Sequence, residues 1–233
     1  MGLLQKNYGL ALLAGSSCVF GFAPFGLYPV PVLALTVLFA LWLRAETIRT
    51  AAWLGFAFGL GLFSAGVGWI YVALHDYGDM QIWLALPVTF LFAAFLSLFV
   101  ALAGYAQARL PVANWKRTTL VMPAVWVLVE WLRGTIFTGF PWLNLGYAHS
   151  DSPLSGYAPL LGVYGVSLMA SVSAGLLAGM FGRAWSRCAC SSHAAEGGTG
   201  GNEFPKERKT KLLPVLLVIL LALWLAGALL RGV

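Results

Sequence analysis

Charged residues are scarce in this chain. Of its 233 residues only 9% are Asp, Glu, Lys or Arg, whereas a soluble domain carries about 25%. Cysteine is rarer still, limited to Cys18, Cys188 and Cys190. So few thiols make no disulfide framework, which excludes a small stapled scaffold. The shortage of charge excludes an ordinary water-soluble surface. What remains is apolar, with 60% hydrophobic residues. That composition is expected of an integral membrane protein built from helices, because only helices and closed barrels satisfy their own backbone in lipid.

A helix crosses the hydrocarbon core in roughly 20 residues. Seven segments are expected to do so: residues 8–22, 31–43, 51–74, 83–109, 118–132, 157–185 and 212–230. The first apolar run follows Lys6 but has no clean small-residue cleavage site, so it reads as a retained helix. Orientation follows from Lys and Arg, which stay on the cytoplasmic side. With Lys6 inside, Arg44, Arg49, Arg109, Lys116, Arg117, Arg183, Arg187, Lys206, Arg208, Lys209 and Lys211 also fall inside. Only Arg133 and Arg231 fall outside. The N-terminus is thus expected in the cytoplasm and Val233 in the periplasm. The net charge of +6 is then a topology signal. It gives no case for nucleic-acid binding.

Residues 186–211 form the one long inner connection. It contains Gly197-Gly-Thr-Gly-Gly201 and reads as a flexible cytoplasmic linker. Cys188, Cys190 and His193 lack a fourth ligand, so no metal site is expected. Cys18 lies inside an apolar run and reads as a small core filler. In the third segment Ala51, Gly55 and Gly59 recur every four residues, with Gly61 and Ala65 following. That spacing lets neighbouring helices approach closely.

The outer loops carry the most unusual composition. The first is a rigid turn, Ala23-Pro-Phe-Gly-Leu-Tyr-Pro-Val-Pro31. The second is Trp69-Ile-Tyr-Val-Ala-Leu-His-Asp-Tyr-Gly78. The third runs from Arg133 to Gly156 and holds Phe140-Pro-Trp142, Tyr147, His149 and Asp151. An aromatic belt at the interface accounts for Trp69, Tyr71 and Trp83. It accounts less well for Phe140-Pro-Trp142, where Gly139 and Pro141 also fix the backbone. Glu130 and Arg133 lie one turn apart at the end of the fifth segment and can pair. Two readings stay open for them: a structural ion pair, or a site that holds a lipid head group. His75, Asp76, Asp79, His149 and Asp151 match no ligand spacing, and helix capping and loop turns explain them more simply.

Phe22-Ala-Pro-Phe-Gly26, Gly68-Trp-Ile-Tyr71 with His75-Asp-Tyr-Gly78, Glu130-Trp-Leu-Arg-Gly134, and Thr138-Gly-Phe-Pro-Trp-Leu143 with Gly146-Tyr147 together resemble the apolipoprotein N-acyltransferases. The similarity continues through Gly156–Ser167. It implies a multi-pass protein of the bacterial inner (cytoplasmic) membrane. The implied reaction transfers an acyl chain from a phospholipid to the N-terminal cysteine of a diacylglyceryl-modified apolipoprotein, through a cysteine thioester. It also implies a periplasmic nitrilase-like domain with a Glu-Lys-Cys triad, expected after residue 233. The topology leaves no Cys and no Lys on the outer face, so these 233 residues are expected to hold no catalytic residue and to be inactive alone. No cofactor is implied. The expected contribution is a lipid-admitting site made by Glu130, Arg133, Phe140, Pro141, Trp142, Tyr147, Trp69 and His75. Two alternatives belong to other classes. One is a non-catalytic membrane anchor for a polyprenol-phosphate glycosyltransferase. The other is a small transporter, which the near absence of intramembrane charge disfavours.

Overall fold

The computed structural model describes residues 2–194 and 212–231, and the side chains of residues 5–180 and 214–231. Among the described residues every regular element is helical. The longer helices are α1 (Gly2–Ser17), α2 (Pro29–Arg44), α3 (Ile48–Gly66), α4 (Ile82–Arg109), α5 (Met122–Thr135), α6 (Ala158–Ala194) and α7 (Leu212–Leu230). Their starts follow local chemistry. Prolines open α2 and α5, where a missing N–H costs nothing. Thr47 caps α3 by accepting from the Thr50 N–H at 3.0 Å, which satisfies an otherwise unpaired donor. Four stretches are long and apolar enough to cross a membrane: Ile48–Gly66, Ile82–Arg109, Asn114–Thr138 and Pro153–Met180. Pro29–Arg44 and Pro214–Leu230 are shorter apolar helices.

Several boundaries differ from the expected ones, the first helix spanning Gly2–Ser17 against residues 8–22. The helix over residues 51–74 stops early, at Gly66, and Val67 leaves helical geometry. A short helix, Trp69–Val72, and a wide turn, Ala73–Tyr77, follow. Leu143 of a distant loop packs against Gly66 so closely that a Cβ would collide with it. Tertiary packing therefore decides this break. In α6, Gly162 adopts φ 66° and kinks the helix. That helix continues to Ala194, past the start of the expected linker. Residues 195–211 of that linker lie outside the described residues, as do the side chains of Cys188, Cys190 and His193.

Helix α3 is the axis of the bundle. Gly55 and Gly59 lie against the backbone of α4 at Val100 and Ser97, and Gly104 of α4 lies against the Ala51 carbonyl. On its other side Gly61 meets Leu12 and Ser16 of α1, while Gly15 of α1 meets Phe58. The small residues thus serve two seams, because close backbone approach maximises dispersion contact where lipid offers no hydrophobic drive. Phe39, Trp42, Phe58 and Phe63 fill the interior. The Trp42 indole donates to the Ala51 carbonyl at 2.9 Å and ties α2 to α3. Polar contacts hold α7: Tyr157 donates to the Leu223 carbonyl (2.8 Å), Trp224 to Ser173 (3.0 Å), and Arg231 to the Asp151 carbonyl (2.9 Å).

The connections at residues 22–28, 67–81 and 136–157 gather at one end of this bundle. Trp69 touches Trp142, Tyr28 faces His149, and Arg231 reaches Asp151. The candidate site lies there.

Candidate functional site

Helix α5 presents one buried face, made by Met122, Trp126, Val129, Glu130 and Arg133. These positions recur at helical spacing, so an apolar stripe carries two charged side chains at its C-terminal end. Both charged residues are only 4% exposed. A buried ion needs compensation by partners of good geometry, and most of those present come from the loop after the helix. Glu130 accepts from the Leu145 N–H (2.8 Å) and from the Trp126 indole (3.1 Å). The Ser167 hydroxyl also neighbours this carboxylate. That hydroxyl accepts from the Gly146 N–H at 2.8 Å. Arg133 donates to the carbonyls of Phe140 and Trp142 and to the side-chain oxygen of Asn144. Its guanidinium carbon also stands 5.1 Å from the centroid of the Phe63 ring.

The sequence allows Glu130 and Arg133 to pair with each other. In the structure they bond the loop instead, Glu130 taking a further bond from Trp126 of its own helix. The two side chains form a clamp that grips residues 140–145 from beneath. The reason is geometric: a guanidinium presents a fork of donors that can serve several acceptors at once, and the returning loop offers three.

The loop itself is forced back over the helix end. The Phe140 N–H donates to the Arg133 carbonyl at 2.8 Å. Phe137, Thr138, Gly139 and Leu143 all have positive φ. Three of these are residues with side chains, in a region sparsely used outside glycine. Gly139, at φ 84° and ψ 147°, lies against the Gly134 carbonyl and has no room for a side chain.

This fold-back builds an aromatic wall. Phe140 stacks on Trp142 with centroids 5.3 Å apart, Trp69 lies 6.1 Å from Trp142, and Phe92 meets Phe140 edge-on at 5.1 Å. In front of the wall is a cavity of about 720 Å³, lined by Phe22, Ala23, Gly66, Trp69, Pro141, Trp142, Leu143 and Tyr147. Trp142 and Tyr147 remain half exposed at its mouth.

The expected site residues thus divide. Trp69, Pro141, Trp142 and Tyr147 line one cavity, and Phe140 backs it. Glu130 and Arg133 sit behind the lining and border a much smaller void of about 10 Å³. His75 is elsewhere: its ring stacks on Tyr71 (5.4 Å) and its Nδ1 pairs with the Met80 carbonyl (2.8 Å). Asn144, Ser167 and Leu143 complete the site without having stood out in the sequence. A lone Asn or Ser carries no periodic signal, and a left-handed leucine, at φ 61°, is invisible to propensity.

The acidic and imidazole residues of the 67–81 and 136–157 connections do not converge. No group of three or more His, Cys, Asp or Glu able to hold a metal occurs among the described residues. His149 is fully buried, hydrogen-bonded to Ser152 at 3.1 Å and flanked by the rings of Tyr28 and Trp224. Burial pushes its pKa from 6.5 down to about 4. A histidine held neutral in the folded state contributes stability that is present above pH 6.5 and is lost as pH falls towards 4. Thermal unfolding in detergent is expected to show roughly 2–3 kcal/mol of that loss, and His149→Leu is expected to flatten it. An unchanged pH slope in that variant would show that other groups titrate.

Comparison with known proteins places the chain. Residues 14–176 match the family model described as "Apolipoprotein N-acyltransferase N-terminal domain". The apolipoprotein N-acyltransferase of Nitrosomonas europaea is 51% identical over 72% of this chain and 34% of its own length. That of Ralstonia nicotianae is 48% identical over 72% and 33%, and that of Coxiella burnetii 41% over 73% and 36%. The chain therefore spans about a third of the length of these relatives. Within the matched region lie α2–α5, all three loops of the cavity end and the Glu130–Arg133 clamp. The chain belongs to the apolipoprotein N-acyltransferase family, to its N-terminal domain.

Proposed function

We propose that this chain forms the membrane portion of an apolipoprotein N-acyltransferase. It crosses a bacterial inner membrane seven times, with the Lys6 end in the cytoplasm and the loop cluster at the periplasmic surface. The enzyme moves an acyl chain from a phospholipid to the N-terminal cysteine of a diacylglyceryl-modified apolipoprotein. This portion supplies the place where an acyl chain leaves the bilayer.

One observation carries the reading: the 720 Å³ cavity walled by Trp69, Pro141, Trp142 and Tyr147. Its volume suits a lipid tail, within the roughly 300–1,000 Å³ of ligand sites. Tryptophan and tyrosine favour the interfacial depth at which an ester group lies. Glu130 and Arg133 act indirectly, by fixing the loop that shapes the wall. His75 closes the 67–81 connection through Met80 and so holds Trp69 in line.

The test uses the chain in vesicles with a phospholipid bearing a photoreactive group on its acyl chain. Crosslinks are expected on residues 136–147 and on Trp69. Trp142→Ala is expected to lower labelling of the loop about fivefold, the scale of one lost aromatic pair. Label spread evenly over the exposed faces of α4 and α7, unchanged by Trp142→Ala, would overturn the reading.

A further inference from the structure

A second groove lies at the opposite end of the bundle, on the seam of α1 and α3. Gly15 packs against Phe58 and Leu62, and Gly61 against Leu12 and Ser16. The two helices therefore run parallel, with Gly15 level with Gly61. Stepping back along that register brings Tyr8 level with Trp53, and Lys6 near the start of α3. There the seam opens into a groove of about 500 Å³, lined by Tyr8, Gly9 and Leu12 from α1 and by Trp53, Phe56 and Leu60 from α3. Gly9 forms its open floor, since a Cβ added there would meet nothing within 4 Å. The α3 residues fall at i, i+3 and i+7, one apolar stripe.

We propose that this groove binds one anionic phospholipid, with an acyl chain along the seam and the phosphate on Lys6 and Arg49. Both basic side chains are exposed, and neither makes a hydrogen bond or ion pair with a described residue. Arg49 lies one turn before Trp53 on α3, so the two share a helix face at the groove's end. Among the described residues Glu46 is the acidic side chain near the start of α3. Of the basic residues at this end, Lys6 belongs to α1 and Arg49 to α3, the two helices of the seam. An arginine fork suits a phosphate, and lysine adds a second point charge. Trp53 and Tyr8 lie where indole and phenol rings favour the headgroup boundary. Charge selects an anionic lipid over a zwitterionic one, and an exposed mouth lined with rings selects a lipid over a second helix.

The assignment to the cytoplasmic leaflet rests on the proposed orientation; the lipid site itself does not. Native mass spectrometry of the 233-residue chain, with phosphatidylglycerol or phosphatidylethanolamine added, is the test. The chain is expected to retain phosphatidylglycerol at least tenfold better. Lys6→Gln and Arg49→Gln should each reduce that preference about fivefold, as expected for one basic residue near an anionic surface. Gly9→Phe, at a position where a Cβ meets nothing within 4 Å, should block the groove and abolish the adduct, whereas Leu13→Phe, exposed off the groove, should leave it. Equal retention of the two lipids, or an adduct that survives Gly9→Phe, would overturn the site. Orientation is read separately, by an impermeant maleimide on Lys6→Cys with Cys188 and Cys190 replaced by Ser. Labelling in inside-out vesicles supports the cytoplasmic leaflet, and labelling only in right-side-out vesicles overturns that leaflet assignment.

Discussion

Arg133→Met is expected to lower stability by about 3–5 kcal/mol, the scale on which breaking a buried charged network falls. The side chain is nearly inaccessible and holds three acceptors: the Phe140 and Trp142 carbonyls and Asn144. Methionine matches much of its length but donates nothing. All three acceptors are then stranded, and Glu130 keeps a charge whose nearest cation has gone. Lysine is expected to recover only part of the loss, because one ammonium cannot copy the span of the guanidinium. Two readouts separate this from general destabilisation. The loop 136–147 should become protease-sensitive below the unfolding temperature, and its tryptophan fluorescence should shift red. A double variant with Glu130→Leu should cost less than the sum of the two single changes, since no unpaired buried charge remains. Strict additivity, or a loop that stays protected, would show that the clamp does not hold the wall.

Gly139→Val is expected to cost about 3 kcal/mol or more, through two separate penalties. Its backbone conformation, φ 84° and ψ 147°, is one that side chains almost never adopt, at roughly 1–3 kcal/mol. A Cβ there also points into the Gly134 carbonyl, a backbone atom that cannot swing aside. The loop would relax away from the helix end and take Phe140 and Trp142 with it. Loss of acyl-chain crosslinking on Trp69 as well as on the loop is the outcome that distinguishes this from a local change. Gly26, also at positive φ but with open space around it, is the control: Gly26→Ala should cost less, because only the first penalty applies. Equal effects from the two substitutions would mean that the contact with Gly134 is not what constrains the loop.

Both variants act on the same arrangement, in which a helix end and its own loop are locked together by polar groups held out of water. Desolvation explains why it is rigid. Inside the bundle, a freed carbonyl or carboxylate has no water to turn to, so each partner lost costs far more than it would at a surface. A rigid wall keeps the cavity from being filled by collapsing side chains.

Much of this architecture is legible in the order of residues. The shortage of charge and the lengths of the apolar runs determine a helical membrane protein. Pro29, Thr47 and Pro123 mark helix starts by local chemistry that works the same in any fold. The Gly55–Gly59 spacing determines that α3 packs closely, and the motifs from Phe22 to Tyr147 determine the family. Local sequence could not decide which neighbour each glycine faces, or that α3 ends at Gly66 against Leu143. Nor could it show that Glu130 and Arg133 reach for a loop fifteen and seven to eleven residues away instead of for each other. Those outcomes depend on where the chain returns in space, because a buried charge takes its partners from whatever backbone comes within reach. The sequence by itself supplied the charged pair and the aromatic loop; only the tertiary structure made the one the support of the other.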